Sequence, residues 1–270
     1  MQNLKLNNGT VMPPIGFGTW RIKDEDECVN AVKAALDVGY LHIDTAQIYG
    51  NESFVGKAIK KSGVGRGEIF VTTKIWNDNM WWTDLVESFE ESLKNLQTDY
   101  VDLLLLHFPV TELRRPAWRL MEQLAQSGKA KAIGVSNYTV AHLEELLRES
   151  SIKPAVNQVE LHVYLQQPEL VDFCKKHNIV VEAYSPLAHG YGLDHITLRK
   201  IGKKHGKTPA QVMLRWTVEQ GAVPLPKSVH PDRIKENFEI FDFKLDKEDM
   251  KDLAKLEQDY RTAWDPTHVA

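Results

Sequence analysis

Gly39-Tyr40-Leu41-His42-Ile43-Asp44-Thr45-Ala46-Gln47-Ile48-Tyr49 is a short apolar run that ends in an aspartate, with a tyrosine five residues further on. Two later stretches share this form. Ile69-Phe70-Val71-Thr72-Thr73 ends at Lys74, and Val101-Asp102-Leu103-Leu104-Leu105-Leu106 ends at His107. Three strand-like runs therefore each deliver an ionisable group at the C-terminal end. In a parallel barrel those ends meet on one face, which is where such folds carry their chemistry.

Working outward, further apolar runs lie at 15–20, 130–135, 155–159, 179–183 and 222–228, which makes eight in all. Helical patterns separate them, over 24–38, 51–61, 83–96, 116–127, 139–148, 167–177, 194–205 and from 208 onward. Asp24 and Thr139 suit N-caps, Thr83 opens the third helix, and Gly39 and Gly128 suit helix ends. A short helix at 231–237 and a final one from Leu245 to about Gln258 follow, and 261–270 shows no regular pattern. Eight strands alternating with helices predict a (β/α)8 TIM barrel, with one domain over 1–270 and the site at its C-terminal face. Leu4-Lys5-Leu6 and Thr10-Val11-Met12 around Asn8-Gly9 predict a β-hairpin that covers the other end. An open doubly wound sheet would carry a Gly-rich fingerprint after its first strand. Gly16-Phe17-Gly18-Thr19-Trp20-Arg21 does not have one.

The chain has 270 residues, 43% hydrophobic and 26% charged, with a formal net charge of -4, which gives no reason to expect nucleic acid or an anionic membrane as partner. The N-terminal residues lack the apolar run of a secretory signal, and no segment has the ~20 apolar residues of a membrane span. A cytoplasmic, monomeric protein is the expectation. Cys28 and Cys174 form no framework or metal motif and read as buried bystanders.

Tyrosine is a weak acid with a pKa of about 10, and an adjacent ammonium stabilises its phenolate. Lys74 can play that part for Tyr49. A lysine below the surface needs a counter-ion, and Asp44 has the right strand-end position. His107 can donate a hydrogen bond to a carbonyl oxygen. Together the four polarise and protonate a carbonyl, and any hydride must come from a cofactor. Each residue alone has a plainer reading: Asp44 as a turn cap, Tyr49 as a half-buried surface tyrosine, Lys74 as solvated, His107 at the edge of the core. The histidines on different strands do not make a metal site, so no metal is expected.

The chain resembles the aldo-keto reductase family, and in particular its short bacterial members of the 2,5-diketo-gluconate and glyoxal/methylglyoxal reductase type. The resemblance rests on Gly39–Ala46, Tyr49-Gly50-Asn51-Glu52, Thr73-Lys74-Ile75-Trp76-Asn77, Leu106-His107-Phe108-Pro109, Gly134-Val135-Ser136-Asn137-Tyr138, Asn157-Gln158-Val159-Glu160 and Pro226-Lys227-Ser228. It implies a catalytic tetrad of Asp44, Tyr49, Lys74 and His107, with Tyr49 as the proton donor whose pKa Lys74 lowers. It also implies direct hydride transfer from NADPH, or to NADP+ in reverse, with a small-molecule carbonyl compound as substrate. Ser136, Asn137 and Gln158 would hold the carboxamide and Tyr184 would stack on the ring. Ser185, Leu187, Gly18, Thr19 and Trp20 would line the rest. Lys227, Ser228, Val229, His230, Arg233, Glu236 and Asn237 would take the adenosine end, where a helix start and a guanidinium suit phosphate.

At His230 the short bacterial relatives often have arginine, so a weaker hold on the 2'-phosphate and some NADH use are expected. Trp20, Trp76, His107, Phe108 and Trp264 would form the substrate pocket, with Phe108 in place of a more usual tryptophan. Trp81 and Trp82 read either as packing at a helix start or as a rim. Arg114 and Arg115 read as solvated charge. Two other functions share these residues: an alcohol or sugar dehydrogenase working in reverse, and a regulatory subunit that binds nucleotide without turnover.

Overall fold

The computed structural model describes residues 2–270. Strands β1 (Leu4–Lys5) and β2 (Val11–Met12) pair antiparallel through a turn in which Gly9 takes a φ of 91°. Leu6 and Met12 pack with Phe70, Leu103, Ala132 and Val223 in a cluster separate from the main core. The Asn7 and Asn8 side-chain amides donate to the carbonyls of Pro154 and Lys131. The hairpin is thereby tied to the end of the sheet opposite Asp44, Lys74 and His107.

Eight parallel strands form one sheet in sequence order. They are β3 (Phe17–Gly18), β4 (His42–Asp44), β5 (Phe70–Ile75), β6 (Val101–Leu106), β7 (Ala130–Ser136), β8 (Val156–Glu160), β9 (Val180–Tyr184) and β10 (Val223–Pro224). The sheet is curled. The Gly16 and Gly18 N–H groups each donate at 3.0 Å, to the carbonyls of Pro224 and Pro226, which brings the first and last strands together. Gly16 is required there, because a Cβ would lie 2.5 Å from Leu225 Cδ2 and 2.7 Å from His42 Nδ1.

Helices α1 (Glu25–Val38), α2 (Glu52–Ser62), α3 (Trp82–Leu96), α4 (Arg114–Gln126), α5 (Val140–Glu149) and α6 (Pro168–Lys176) follow β3 to β8. After β9 come α7 (Ile196–His205) and α8 (Pro209–Glu219), and after β10 come α9 (Pro231–Phe238) and α10 (Lys247–Ala254). Asp24 caps α1 by accepting from the Glu27 N–H, and Gly39 ends it with a φ of 115°. None of these helices is long and apolar enough to cross a membrane among the described residues. Both cysteines are free and buried, and burial pushes their thiols up to about 12.

Several local expectations need correction. Thr83 does not open α3, which begins at Trp82 without a side-chain cap. Helix α4 begins at Arg114, two residues before Pro116. Helix α10 stops at Ala254, short of Gln258, because the Gln258 and Tyr260 N–H groups both donate to the carbonyl of Tyr164. The C-terminal segment is also more ordered than its sequence suggests. It makes a 3-10 turn at Pro266–His268, and the Val269 carbonyl meets His142 Nε2 at 2.9 Å. Arg114 is not solvated: it is buried and bonds Glu145 and the Ala270 carbonyl. Trp81 and Trp82 do not pack at the helix start, since they are 58% and 64% exposed.

Candidate active site

The strand ends deliver Asp44, Lys74 and His107 to one place, where Tyr49 joins them. Lys74 is sealed from solvent, and its Nζ lies 2.7 Å from Asp44 Oδ1, 2.9 Å from the Thr45 carbonyl and 3.3 Å from the Tyr49 hydroxyl. All three ammonium hydrogens thus have acceptors. Tyr49 arrives on a 3-10 turn, Gln47–Tyr49, which the Gln47 side chain anchors by accepting from the Trp76 N–H and the Asn79 amide. The ring centroids of Tyr49 and His107 are 5.9 Å apart.

Burial works to lower the pKa of Lys74, but Asp44 and the Tyr49 hydroxyl outweigh it and hold the ammonium above its ordinary value. Burial, and to a lesser degree the Lys74 charge, brings His107 down to about 3, so it is a neutral imidazole. Its Nδ1 is sealed without a partner, and the residue borders the cleft. For Tyr49 the sequence expectation needs correction. Lys74 does favour the phenolate, but desolvation is the larger effect, and the phenol lies above its ordinary value.

A cleft of about 710 Å³ opens over these groups. Gly18, Trp20, Asp44, Tyr49, His107 and Trp264 line one part of it, and Ser136, Asn137, Gln158, Tyr184, Ser185, Leu187 and Lys227 another. Ser136 donates to the Gln158 carbonyl at 2.8 Å, the Asn137 amide donates to the His107 carbonyl at 2.9 Å, and the Tyr184 hydroxyl donates to Asn137 Oδ1 at 2.7 Å. Arg21, Asn137, Ser185 and His189 border the cleft with φ of 63°, 64°, 48° and 54°. Left-handed backbone at four non-glycine residues marks a shape held against local preference.

Not every nominated residue reaches the cleft. Thr19 is fully buried, and its hydroxyl donates to the Asp44 carbonyl. Ser228, Val229, His230, Arg233, Glu236 and Asn237 follow Lys227 into the start and body of α9. There Arg233 and His230 are exposed, the Ser228 hydroxyl accepts from the His230 N–H, and Glu236 accepts from the Thr208 hydroxyl. Trp76 packs on His107 at 5.3 Å and on Trp264 at 5.6 Å, and Phe108 meets Trp264 edge-on at 6.1 Å. Trp20 stands apart from them, against His189 and under Arg21.

The sequence reading missed Glu182 and His42, beneath the cleft. Gln158 Nε2 donates to Asp44 Oδ2 at 2.9 Å and to Glu182 Oε2 at 2.8 Å, and Glu182 Oε1 lies 3.6 Å from His42 Nε2. The one available signal was a carboxylate inside the apolar run Val180-Val181-Glu182-Ala183. Also missed was Glu160, buried at the end of β8, which accepts from the Thr262 and Ala263 N–H groups and holds the segment that carries Trp264. Among the described residues no group of three or more His, Cys, Asp or Glu side chains is placed to hold a metal ion.

A curled eight-stranded parallel sheet with a lysine–aspartate pair under a tyrosine and a histidine defines a class of oxidoreductase, and comparison with known proteins gives the family. The profile of the aldo/keto reductase family matches residues 14–258, and the chain belongs to that family. A glyoxal reductase of Bacillus subtilis is 48% identical over 266 residues, 98% of this chain and 96% of the relative. MGS-M4, an aldo-keto reductase from a Medee basin deep-sea metagenome library, superposes with a TM-score of 0.96 at 49% identity, covering 99% of each chain. A Bombyx mori aldo-keto reductase in complex with NADP superposes with a TM-score of 0.91 at 34% identity, over 96% of this chain and 94% of that one.

Burial, and then the nearby Asp44 charge, pushes the Glu182 carboxyl from 4.5 up to about 8. The folded chain then holds a proton that the unfolded chain has released, so stability falls as pH rises between those two values. Glu182→Gln removes this dependence. Urea unfolding midpoints should show the variant gaining on the parent from about pH 5 to about pH 8, by a few kcal/mol at most.

Proposed function

We propose that this protein reduces aldehydes and ketones with NADPH, using Tyr49 as the proton donor, and that glyoxals, 2-keto carbonyls and aromatic aldehydes are among its substrates. The observation that carries this reading is the buried Lys74 ammonium held between Asp44 and the Tyr49 hydroxyl. The names of relatives add support, a glyoxal reductase among them. The sheet is read as a closed barrel on the two backbone bonds from Gly16 and Gly18 to the last strand, with one domain over the whole chain.

The residues present fit a nicotinamide dinucleotide. The cleft has the volume of a small-molecule site. Gln158 borders the cleft with Ser136 and Asn137, and its Oε1 accepts no bond among the described residues. These polar, uncharged groups suit a carboxamide. Tyr184 offers a ring face, and Lys227, Ser228 and Arg233 at the start of α9 suit phosphate. With His230 at the cap position, the 2'-phosphate depends chiefly on Arg233, and some NADH use follows.

Bound there, NADPH supplies the hydride. The chain supplies the proton and the electrostatics. Tyr49 is protonated at neutral pH, as a donor must be, and gives its proton to the carbonyl oxygen. Lys74 stabilises the phenolate left behind, and Asp44 keeps Lys74 charged without water. Neutral His107 orients the carbonyl through a ring N–H. Trp76, Phe108 and Trp264 form an aromatic wall that suits flat or apolar substituents.

Tyr49→Phe should lower kcat for methylglyoxal and phenylglyoxal by about 10²- to 10⁴-fold, followed as NADPH oxidation at about 340 nm, with NADPH binding retained. Loss of binding together with turnover would count against the proton-donor role. Arg233→Ala should weaken NADPH binding by about 10- to 100-fold and leave NADH binding within about twofold, by fluorescence titration. Equal losses for both nucleotides would remove Arg233 from the 2'-phosphate.

A further inference from the structure

The acid beneath the cleft has no part in the proton transfer just described. Glu182 is fully buried on β9, and its Oε1 has no hydrogen-bond partner. The titratable and polar groups facing it are His42 and Asp44 from β4, Lys74 from β5 and Gln158 from β8. His42 bonds Thr72 Oγ1 at 3.0 Å and is a neutral ring, brought down to about 3 by burial and by Lys74. A buried carboxyl with one oxygen unpaired costs free energy. An apolar side chain would leave no oxygen unpaired here, so a carboxyl at this position calls for a role in function.

The geometry supplies one. An amide nitrogen has two hydrogens, and Gln158 spends one on Asp44 and the other on Glu182. Both acceptors are carboxyl oxygens. Rotating the amide by half a turn would set its oxygen against those two acids and turn its N–H groups toward the cleft. Asp44, ion-paired with Lys74, opposes this, and Glu182, accepting through Oε2, adds a second restraint.

We propose that Glu182 is a positioning residue: with Asp44 it pins the Gln158 amide so that an acceptor alone faces the cleft, and so selects the orientation of the cofactor's carboxamide by its amino group. This rests on the reading of Gln158 as the carboxamide contact. Asp44 bonds Lys74 through Oδ1 and Gln158 through Oδ2, so loss of Glu182 removes one of the two restraints on the amide and leaves the Lys74–Asp44 bond in place.

The test uses the full chain and three variants. Glu182→Gln keeps a carbonyl acceptor. Glu182→Leu and Glu182→Met remove it with similar volume, two apolar variants guarding against one that folds poorly. Affinity is measured for NADPH and for its reduced 3-acetylpyridine analogue, in which a methyl replaces the amino group. The parent and Glu182→Gln should prefer NADPH by about tenfold, one hydrogen bond's worth. The apolar variants should fall to within about threefold. Separately, without cofactor, the ¹⁵N-labelled side-chain NH2 of Gln158 should exchange slowly in the parent and in Glu182→Gln, and fast in the apolar variants.

Equal preference and equal exchange in all four proteins would overturn the proposal. So would a Glu182→Gln variant that behaves like Glu182→Leu, because the acceptor would then not be what matters. If the parent shows no preference between the two nucleotides while the exchange difference holds, the assignment of Gln158 to the carboxamide falls. Glu182 then keeps its hold on the amide and loses its role toward the cofactor.

Discussion

The site depends on one ion pair, Lys74 to Asp44 at 2.7 Å, in a place water does not reach. Such a pair adds little to stability by itself, because desolvating two charges offsets most of their attraction. What it provides is a permanent positive charge under the Tyr49 hydroxyl. Every neighbouring element serves to keep that charge satisfied. Asp44 takes one hydrogen, the Thr45 carbonyl a second, and Tyr49 the third. Thr19 is spent on the Asp44 carbonyl, and Gln158 on the second carboxylate oxygen.

The balance at Tyr49 decides between two pictures of the donor. One has the lysine making the tyrosine acidic at rest. In the structure burial is the stronger effect, so the phenol holds its proton in the resting protein. In the proposed reaction Lys74 matters most as the proton leaves, when a phenolate forms in a site of low polarity where a nearby charge acts strongly. Its contribution belongs to the transition state more than to the free enzyme.

Much of this was legible in the sequence, for reasons of position. Asp44, Lys74 and His107 close apolar runs, and a parallel sheet must bring the C-terminal ends of its strands together. The caps at Asp24 and Thr139 were legible because capping is local. What stayed hidden depends on contacts far apart in the chain. The end of α10 is set by the Tyr164 carbonyl, and the segment carrying Trp264 is set by Glu160, about a hundred residues away. Arg114 reads as a surface charge until Glu145 and Ala270 close around it. Thr19 looks available to a ligand until its hydroxyl is found to be occupied. Glu182 sits within an ordinary-looking strand, and only its register, opposite Gln158 on β8, brings the two side chains together. The depth of Tyr49, which sets its proton affinity, is likewise a property of the whole cleft.

The most direct test of the central claim is the single-turnover rate of NADPH oxidation by a glyoxal in Lys74→Met, measured by stopped flow on protein whose fold is checked by circular dichroism. If the buried ammonium is what lets Tyr49 give up its proton, the rate falls at least about a hundredfold while NADPH still binds. A folded variant that binds NADPH and turns over within a few-fold of the parent would contradict the account, and would place the source of the proton elsewhere.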